Sequence, residues 1–128
     1  MRSRTLMTLT AILMALLGIA ASFLPQEILT YFGAEPRGLG VLLVQIAGAL
    51  YLGFAMLNWM ARGNLIGGIY SRPIAMGNFL HFAVVAVTLL KALLSGTRAE
   101  FILVGAVVYS VFAVWFGLVV FTHPTKQT

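Results

Sequence analysis

Residues 101–122 read FILVGAVVYSVFAVWFGLVVFT, an apolar stretch without a single charged side chain. A helix rises about 1.5 Å per residue, so about 20 apolar residues cross the hydrocarbon core of a bilayer. A helix satisfies all of its backbone hydrogen bonds internally, which lipid requires of any spanning segment. The stretch therefore predicts a transmembrane helix.

Three further windows have the same length and character, and they cover residues 5–24, 39–61 and 74–94. Short connections join them, so consecutive helices are expected to run antiparallel. The sequence therefore predicts an all-α fold, a transmembrane four-helix bundle formed by one integral membrane domain over residues 1–128. Left-handed crossings are the usual geometry of such bundles.

The first window also has features of a secretory signal peptide. Arg2 and Arg4 precede it, and Ala20-Ala21-Ser22 resembles a cleavage region. Its apolar run is longer than the 7–15 residues that are typical of a signal-peptide core. We therefore interpret residues 5–24 as a membrane span.

The composition agrees with a membrane location. Of the 128 residues, 61% are hydrophobic and 9% are charged, and the mean hydropathy is +1.02. Soluble domains contain about 25% charged residues, and a small soluble domain cannot hide so much apolar surface. The expected partner is therefore a lipid bilayer. The eight basic residues are scattered and form no run, so the net charge of +5 does not indicate nucleic acid.

The placement of the basic residues predicts the orientation. Four spans put the N-terminus, the 62–73 connection and the C-terminus on one side, and this side carries Arg2, Arg4, Arg62, Arg72 and Lys126. The other side carries Arg37, Lys91 and Arg98, together with the acids Glu27, Glu35 and Glu100. The positive-inside rule then places both termini of this multi-pass protein in the cytoplasm.

The segment between the first two spans, residues 25–38, contains apolar side chains beside polar neighbours. We expect a short amphipathic helical turn lying in the membrane interface, ended by Gly33 and Pro36.

Small residues recur at helical spacing in two of the spans. The first span contains Ala11, Ala15, Gly18 and Ser22, and the fourth contains Ala106, Ser110, Ala113 and Gly117. The second span offers the shorter pair Ala49 and Gly53. Such spacing keeps small residues on one face, where backbones can approach closely. These faces are predicted to pack on each other, or to form the interface of a homo-oligomer or of a partner membrane subunit.

The densest polar segment runs from the second span into the third. Its candidate ligand-binding residues are Arg62, Tyr70, Arg72, Asn78 and His81. Two guanidinium groups can hold a phosphate or a carboxylate, and polar side chains within a span face the protein interior or a cavity. Plainer roles remain open: the arginines fit the positive-inside rule, and Asn78 and His81 fit hydrogen bonds between helices.

The sequence gives little support for a catalytic site or a metal site. There is no cysteine, and His81 and His123 are the only histidines, which makes bis-histidine haem ligation a weak hypothesis. No acidic residue lies within a span, whereas proton-coupled transporters normally need one there. We predict no catalytic residue and no metal ligand, and the cofactor stays open.

Two local segments resemble a known family. Gly48-Ala49-Leu50-Tyr51-Leu52-Gly53-Phe54 and Tyr70-Ser71-Arg72-Pro73 are similar to the DoxX-like group of small four-helix bacterial membrane proteins. The resemblance implies a bacterial inner-membrane protein, linked in some members to quinone-dependent or sulfur redox chemistry. It assigns no catalytic residue.

The sequence thus favours a small polytopic membrane protein that binds a lipid headgroup, a quinone or a small anion in a cytoplasm-facing pocket, without enzymatic activity. Three alternatives stay open. They are a quinone-linked oxidoreductase component in which His81 hydrogen-bonds a quinone carbonyl, a structural or assembly subunit, and a small transporter.

Overall fold

The computed structural model describes residues 3–63, 72–96 and 100–121, apart from the side chains of Ser3 and Arg72. These residues form five helices and no strand. The helices are α1 (Ser3–Phe23), α2 (Pro25–Tyr31), α3 (Leu39–Ala61), α4 (Arg72–Leu94) and α5 (Glu100–Phe121).

Four of the helices are long and apolar enough to cross a membrane: α1, α3, α4 and α5. Their bounds lie within two residues of the predicted spans, because the length of a predominantly apolar run determines where a spanning helix can begin and end. The all-α prediction and its four spans are confirmed. The cytoplasmic orientation of the termini stays a prediction.

The segment between α1 and α3 contains α2, a helix of seven residues with Pro25 at its start. This is the helical turn expected there, and it is far too short to span. Gly33 follows with φ of 79°, a left-handed conformation that glycine adopts without steric cost and that ends the helix. Gly38, with φ of 73°, then redirects the chain into α3.

The chain packs as two compact units. One unit is Met7–Arg62, and the other comprises the described residues of Met1–Leu6 and Gly63–Thr128. The prediction of a single domain stays a prediction.

Within Met7–Arg62, α1 and α3 approach each other at two glycines. A Cβ atom added at Gly18 would lie 2.9 Å from the backbone nitrogen of Leu52, and one added at Gly48 would lie 2.8 Å from that of Ser22. Residue numbers rise along α1 as they fall along α3, so the two helices run antiparallel. Gly18 and Ser22 of the predicted small-residue face therefore contact α3 of the same chain.

The face of α3 that contacts α1 differs from the predicted one. A Cβ added at Gly53 would meet nothing described within 4 Å, and Ala49 is exposed. The contact with α1 is made at Gly48 and Leu52 and not at the predicted pair Ala49 and Gly53, whose role as an interface with another subunit stays a prediction. Both pairs have helical spacing, and spacing alone does not say which side of a helix meets its neighbour.

In the other unit, α4 and α5 form an antiparallel pair. A Cβ added at Gly105 would lie 3.2 Å from Leu89, and one added at Gly117 would lie 3.1 Å from Phe79. Between these two contacts lies Phe82, which is completely buried. Of the small residues predicted on α5, Ala106 is buried, whereas Ser110, Ala113 and Gly117 are half-buried.

Large apolar side chains cover much of the described surface. Leu16, Leu50 and Val114 are each more than 60% exposed. Water would make such a surface unfavourable, whereas lipid tails are as apolar as the side chains themselves. The exposed surface of α1, α3 and α5 therefore suits a lipid bilayer.

Candidate functional site

Arg62 lies directly after α3 and caps its C-terminal end. The carbonyl groups at a helix C-terminus carry partial negative charge, which favours a cation there. The Nη1 atom of Arg62 donates a hydrogen bond to the carbonyl oxygen of Trp59, and its guanidinium carbon lies 3.7 Å from the centroid of the Trp59 ring. The half-buried arginine is thus held in place from two directions.

The charge of Arg62 has no acidic partner within its own unit. The two acids of Met7–Arg62 are Glu27 and Glu35, and both precede α3, whereas Arg62 follows it. A helix of 23 residues separates the two ends by about 34 Å. Glu35 also pairs with Arg37, with 3.5 Å between their charged atoms. Neither acidic side chain of this unit can therefore pair with Arg62.

An apolar groove lies beside this arginine, between α1 and α3. Its volume is about 340 Å³, near the lower end of the roughly 300–1,000 Å³ range of ligand pockets. It is lined by Ala11, Ile12 and Ala15 of α1 and by Leu52, Ala55, Met56 and Trp59 of α3. Because Trp59 both lines the groove and carries the Arg62 guanidinium, the groove ends beside a positive charge.

Asn78 is completely buried on α4. Its side-chain nitrogen donates to the carbonyl oxygen of Ile74 at 2.8 Å, one helical turn earlier. Asn58 on α3 is also completely buried and donates to the carbonyl of Phe54 at 2.9 Å. Hydrogen bonds of this kind satisfy a polar group in an apolar interior. The structure thus places the Asn78 side chain in the protein interior.

His81, also on α4, is half-buried among aromatic rings. Its ring centroid lies 5.1 Å from that of Phe82 and 5.5 Å from that of Tyr109 on α5. Phe82 in turn stacks on Phe112 at 5.0 Å with an interplanar angle of 16°. The structure therefore places His81 at the edge of an aromatic cluster that joins α4 to α5.

The five predicted site residues do not all belong to the same compact unit. Arg62 belongs to one unit, and Asn78 and His81 belong to the other. Tyr70 and the side chain of Arg72 lie outside the described residues, as does His123. Over the described part of the chain, no group of three His, Cys, Asp or Glu side chains is arranged to hold a metal ion.

Sequence reasoning missed two features of these sites. Trp59 is the first, because its position three residues before Arg62 permits the observed stacking on one helical face. Tyr109, which is 7% exposed and lies against His81, was not singled out. Its role depends on the register of α5 against α4, which no local pattern in the sequence indicates.

Comparison of the chain with protein-family models, with curated proteins and with solved structures found no match in any of the three.

Proposed function

We propose that this chain is a small polytopic membrane protein that binds an anionic group, a phosphate or a carboxylate, at Arg62. The observation that carries the proposal is the position of the Arg62 guanidinium on the Trp59 ring, with no acidic partner for it within Met7–Arg62. The anion can belong to a lipid headgroup or to a small solute, because the two share the chemistry that a guanidinium recognises.

The proposal includes an orientation. With the basic excess on the side of Arg62, the positive-inside rule supports a binding site that faces the cytoplasm. The resemblance of residues 48–54 and 70–73 to DoxX-like proteins supports a bacterial inner membrane as the location.

Native mass spectrometry of the protein released from mild detergent tests the proposal. We expect adducts of phosphatidylglycerol to be retained more strongly than adducts of the zwitterionic phosphatidylcholine. Arg62→Gln removes the charge while keeping a side chain of similar reach. We expect it to lower phosphatidylglycerol retention about tenfold, since a hydrogen bond to a charged group contributes about 1.5–3 kcal/mol.

Arg37→Gln is the matched control, because Arg37 is exposed, lies at the opposite end of α3 and already has Glu35 as its partner. It should leave retention unchanged. Equal losses in both variants would contradict a specific site and would indicate general attraction of basic residues to anionic lipid. A phosphate adduct that is retained when no lipid adduct is, and that is lost in Arg62→Gln, would identify a small anion as the ligand.

The same spectra test the oxidoreductase alternative. A quinone adduct that is lost in His81→Leu and kept in Arg62→Gln would favour a quinone site at the aromatic cluster of His81, Phe82 and Tyr109 over the proposed anion site. A clean protein mass without any adduct, even after phosphatidylglycerol has been added, would count against both.

A further inference from the structure

We infer that the bound anion is the headgroup of a lipid and that one acyl chain of this lipid lies in the groove between α1 and α3. The inference rests on the proposed anion site at Arg62 and names the ligand class for that site. It depends on the geometry of the groove, on its position relative to the charge, and on a comparison with the other grooves described.

The groove has the form that a single flexible chain requires. Its floor consists of small residues, with Ala11 and Ala55 almost completely buried. Its walls are the flexible or branched side chains of Ile12 and Met56, which are 48% and 58% exposed. Small side chains between large ones leave a narrow depression along the helix pair, and nearly all of its surface is apolar.

The groove has a size and lining that suit an apolar chain. Its volume is about 340 Å³ and its lining is apolar. A lipid supplies a chain narrow enough to enter such a depression, and lipid surrounds the spanning helices of a membrane protein.

The direction of the groove matches the polarity of a lipid. From Leu52 to Trp59 it follows α3 for about 10 Å toward the helix end. Trp59 lines that end of the groove, and tryptophan rings are typical of the level of lipid headgroups. The Arg62 guanidinium lies on the Trp59 ring, so the positive charge is located where the chain of a lipid gives way to its phosphate.

Two other grooves lack this combination. One, at the opposite end of α3 in sequence, is lined by polar and acidic residues that include Gln26 and Glu27, and an anionic headgroup would be repelled there. Another, on α5, is apolar, but none of its described lining residues, from Ser110 to Leu118, is charged. Among the grooves described, the one between α1 and α3 alone combines an apolar lining with a basic group at its end.

The test compares phosphatidylglycerol with long chains (dioleoyl) and with short chains (dihexanoyl), again by native mass spectrometry. The double variant Ile12→Ala/Met56→Ala removes both walls of the groove. Ala15→Leu fills the groove from its floor instead. The control is Leu16→Ala/Leu50→Ala, which trims two side chains that are 64% and 62% exposed and that do not line the groove.

We expect the wild type and the control to retain the long-chain lipid in preference to the short-chain lipid, and both groove variants to lose that preference. All of them should keep their preference for phosphatidylglycerol over phosphatidylcholine, because Arg62 is intact. Since one groove variant removes atoms and the other adds them, a folding defect in one, detected by circular dichroism, leaves the other to decide.

The failures of the two proposals look different. If the groove variants keep the full chain-length preference, the groove does not hold a chain, although the anion site stands. If the wild type shows no headgroup preference, the anion site itself is wrong. A dimer mass that disappears in the groove variants would overturn the inference by making the groove an interface between two copies.

Discussion

Gly48 and Gly18 are positions at which one methyl group decides whether α1 and α3 can touch. A Cβ at Gly48 would lie 2.6 Å from the hydroxyl oxygen of Ser22 and 2.8 Å from its backbone nitrogen. A backbone atom cannot move away without displacing its helix. We therefore expect Gly48→Ala to destabilise the protein by about 1–3 kcal/mol, the usual cost of overpacking. Thermal unfolding in detergent, followed by circular dichroism, measures the loss.

Gly53→Ala is the matched control on the same helix, since a Cβ there would meet nothing described within 4 Å. Alanine is favoured over glycine in a helix by about 0.5–1 kcal/mol, so this variant should match or exceed the wild type. Equal destabilisation by Gly48→Ala and Gly53→Ala would show that the loss of a glycine, and not contact with α1, is responsible.

Phe82 on α4 holds the helix pair α4 and α5 together through its contacts with aromatic rings of α5. It is completely buried, and its ring centroid lies 5.0 Å from Tyr109, 5.0 Å from Phe112 and 5.7 Å from Phe116. Lipid provides no hydrophobic drive for helix association, so contacts of this kind must hold the pair together. Each aromatic pair contributes about 0.5–1.5 kcal/mol beyond its burial.

We therefore expect Phe82→Ala to destabilise the protein by about 2 kcal/mol or more, as the sum of lost ring contacts and a new cavity. Leu80→Ala removes a side chain of similar size from the same helix, but Leu80 is 59% exposed. It should cost little, because lipid replaces the missing contacts. Unfolding titrations with sodium dodecyl sulfate can compare the two variants, and similar midpoints would contradict a packing role for the Phe82 ring.

At the scale of the whole molecule, the sequence was sufficient for the helices but not for their faces. Apolar length alone predicts where α1, α3, α4 and α5 begin and end, because lipid accepts no other spanning structure for a single segment. The residues of a spanning helix that face a neighbouring helix are harder to predict, since lipid and a neighbouring helix both accept glycine and leucine. Gly48 was therefore overlooked in favour of Gly53, and the groove beside Trp59 appeared only once the register of α1 against α3 was known.

The candidate site was predicted unevenly for a related reason. Arg62 could be selected because a basic residue at the end of a span is visible in the sequence, and the structure holds it on Trp59. Asn78 was selected by the same rule, that polar residues in a span avoid lipid, yet the rule does not separate a ligand pocket from a hydrogen bond to the residue's own helix. In this structure the side chain of Asn78 donates a hydrogen bond to the carbonyl of Ile74 on its own helix.

The orientation of the whole molecule is the last prediction, and the absence of cysteine from the chain makes it simple to test. Single cysteines can be introduced without a background signal and labelled in intact cells with a maleimide that does not cross membranes. Because five basic residues lie on the predicted inner side and three on the outer, we expect Thr30→Cys and Ser95→Cys to be labelled from outside.

Thr125→Cys should be labelled only after the membrane has been permeabilised, because four spans return the C-terminus to the side of the N-terminus. Ala49→Cys, in the middle of α3, is the control that should resist labelling in both conditions. The reverse pattern, with Thr125→Cys accessible and Thr30→Cys protected, would place Arg62 and the groove at the outer surface. The anion site would then meet the lipids of the outer leaflet, and its chemistry would stand while its proposed cytoplasmic location would not.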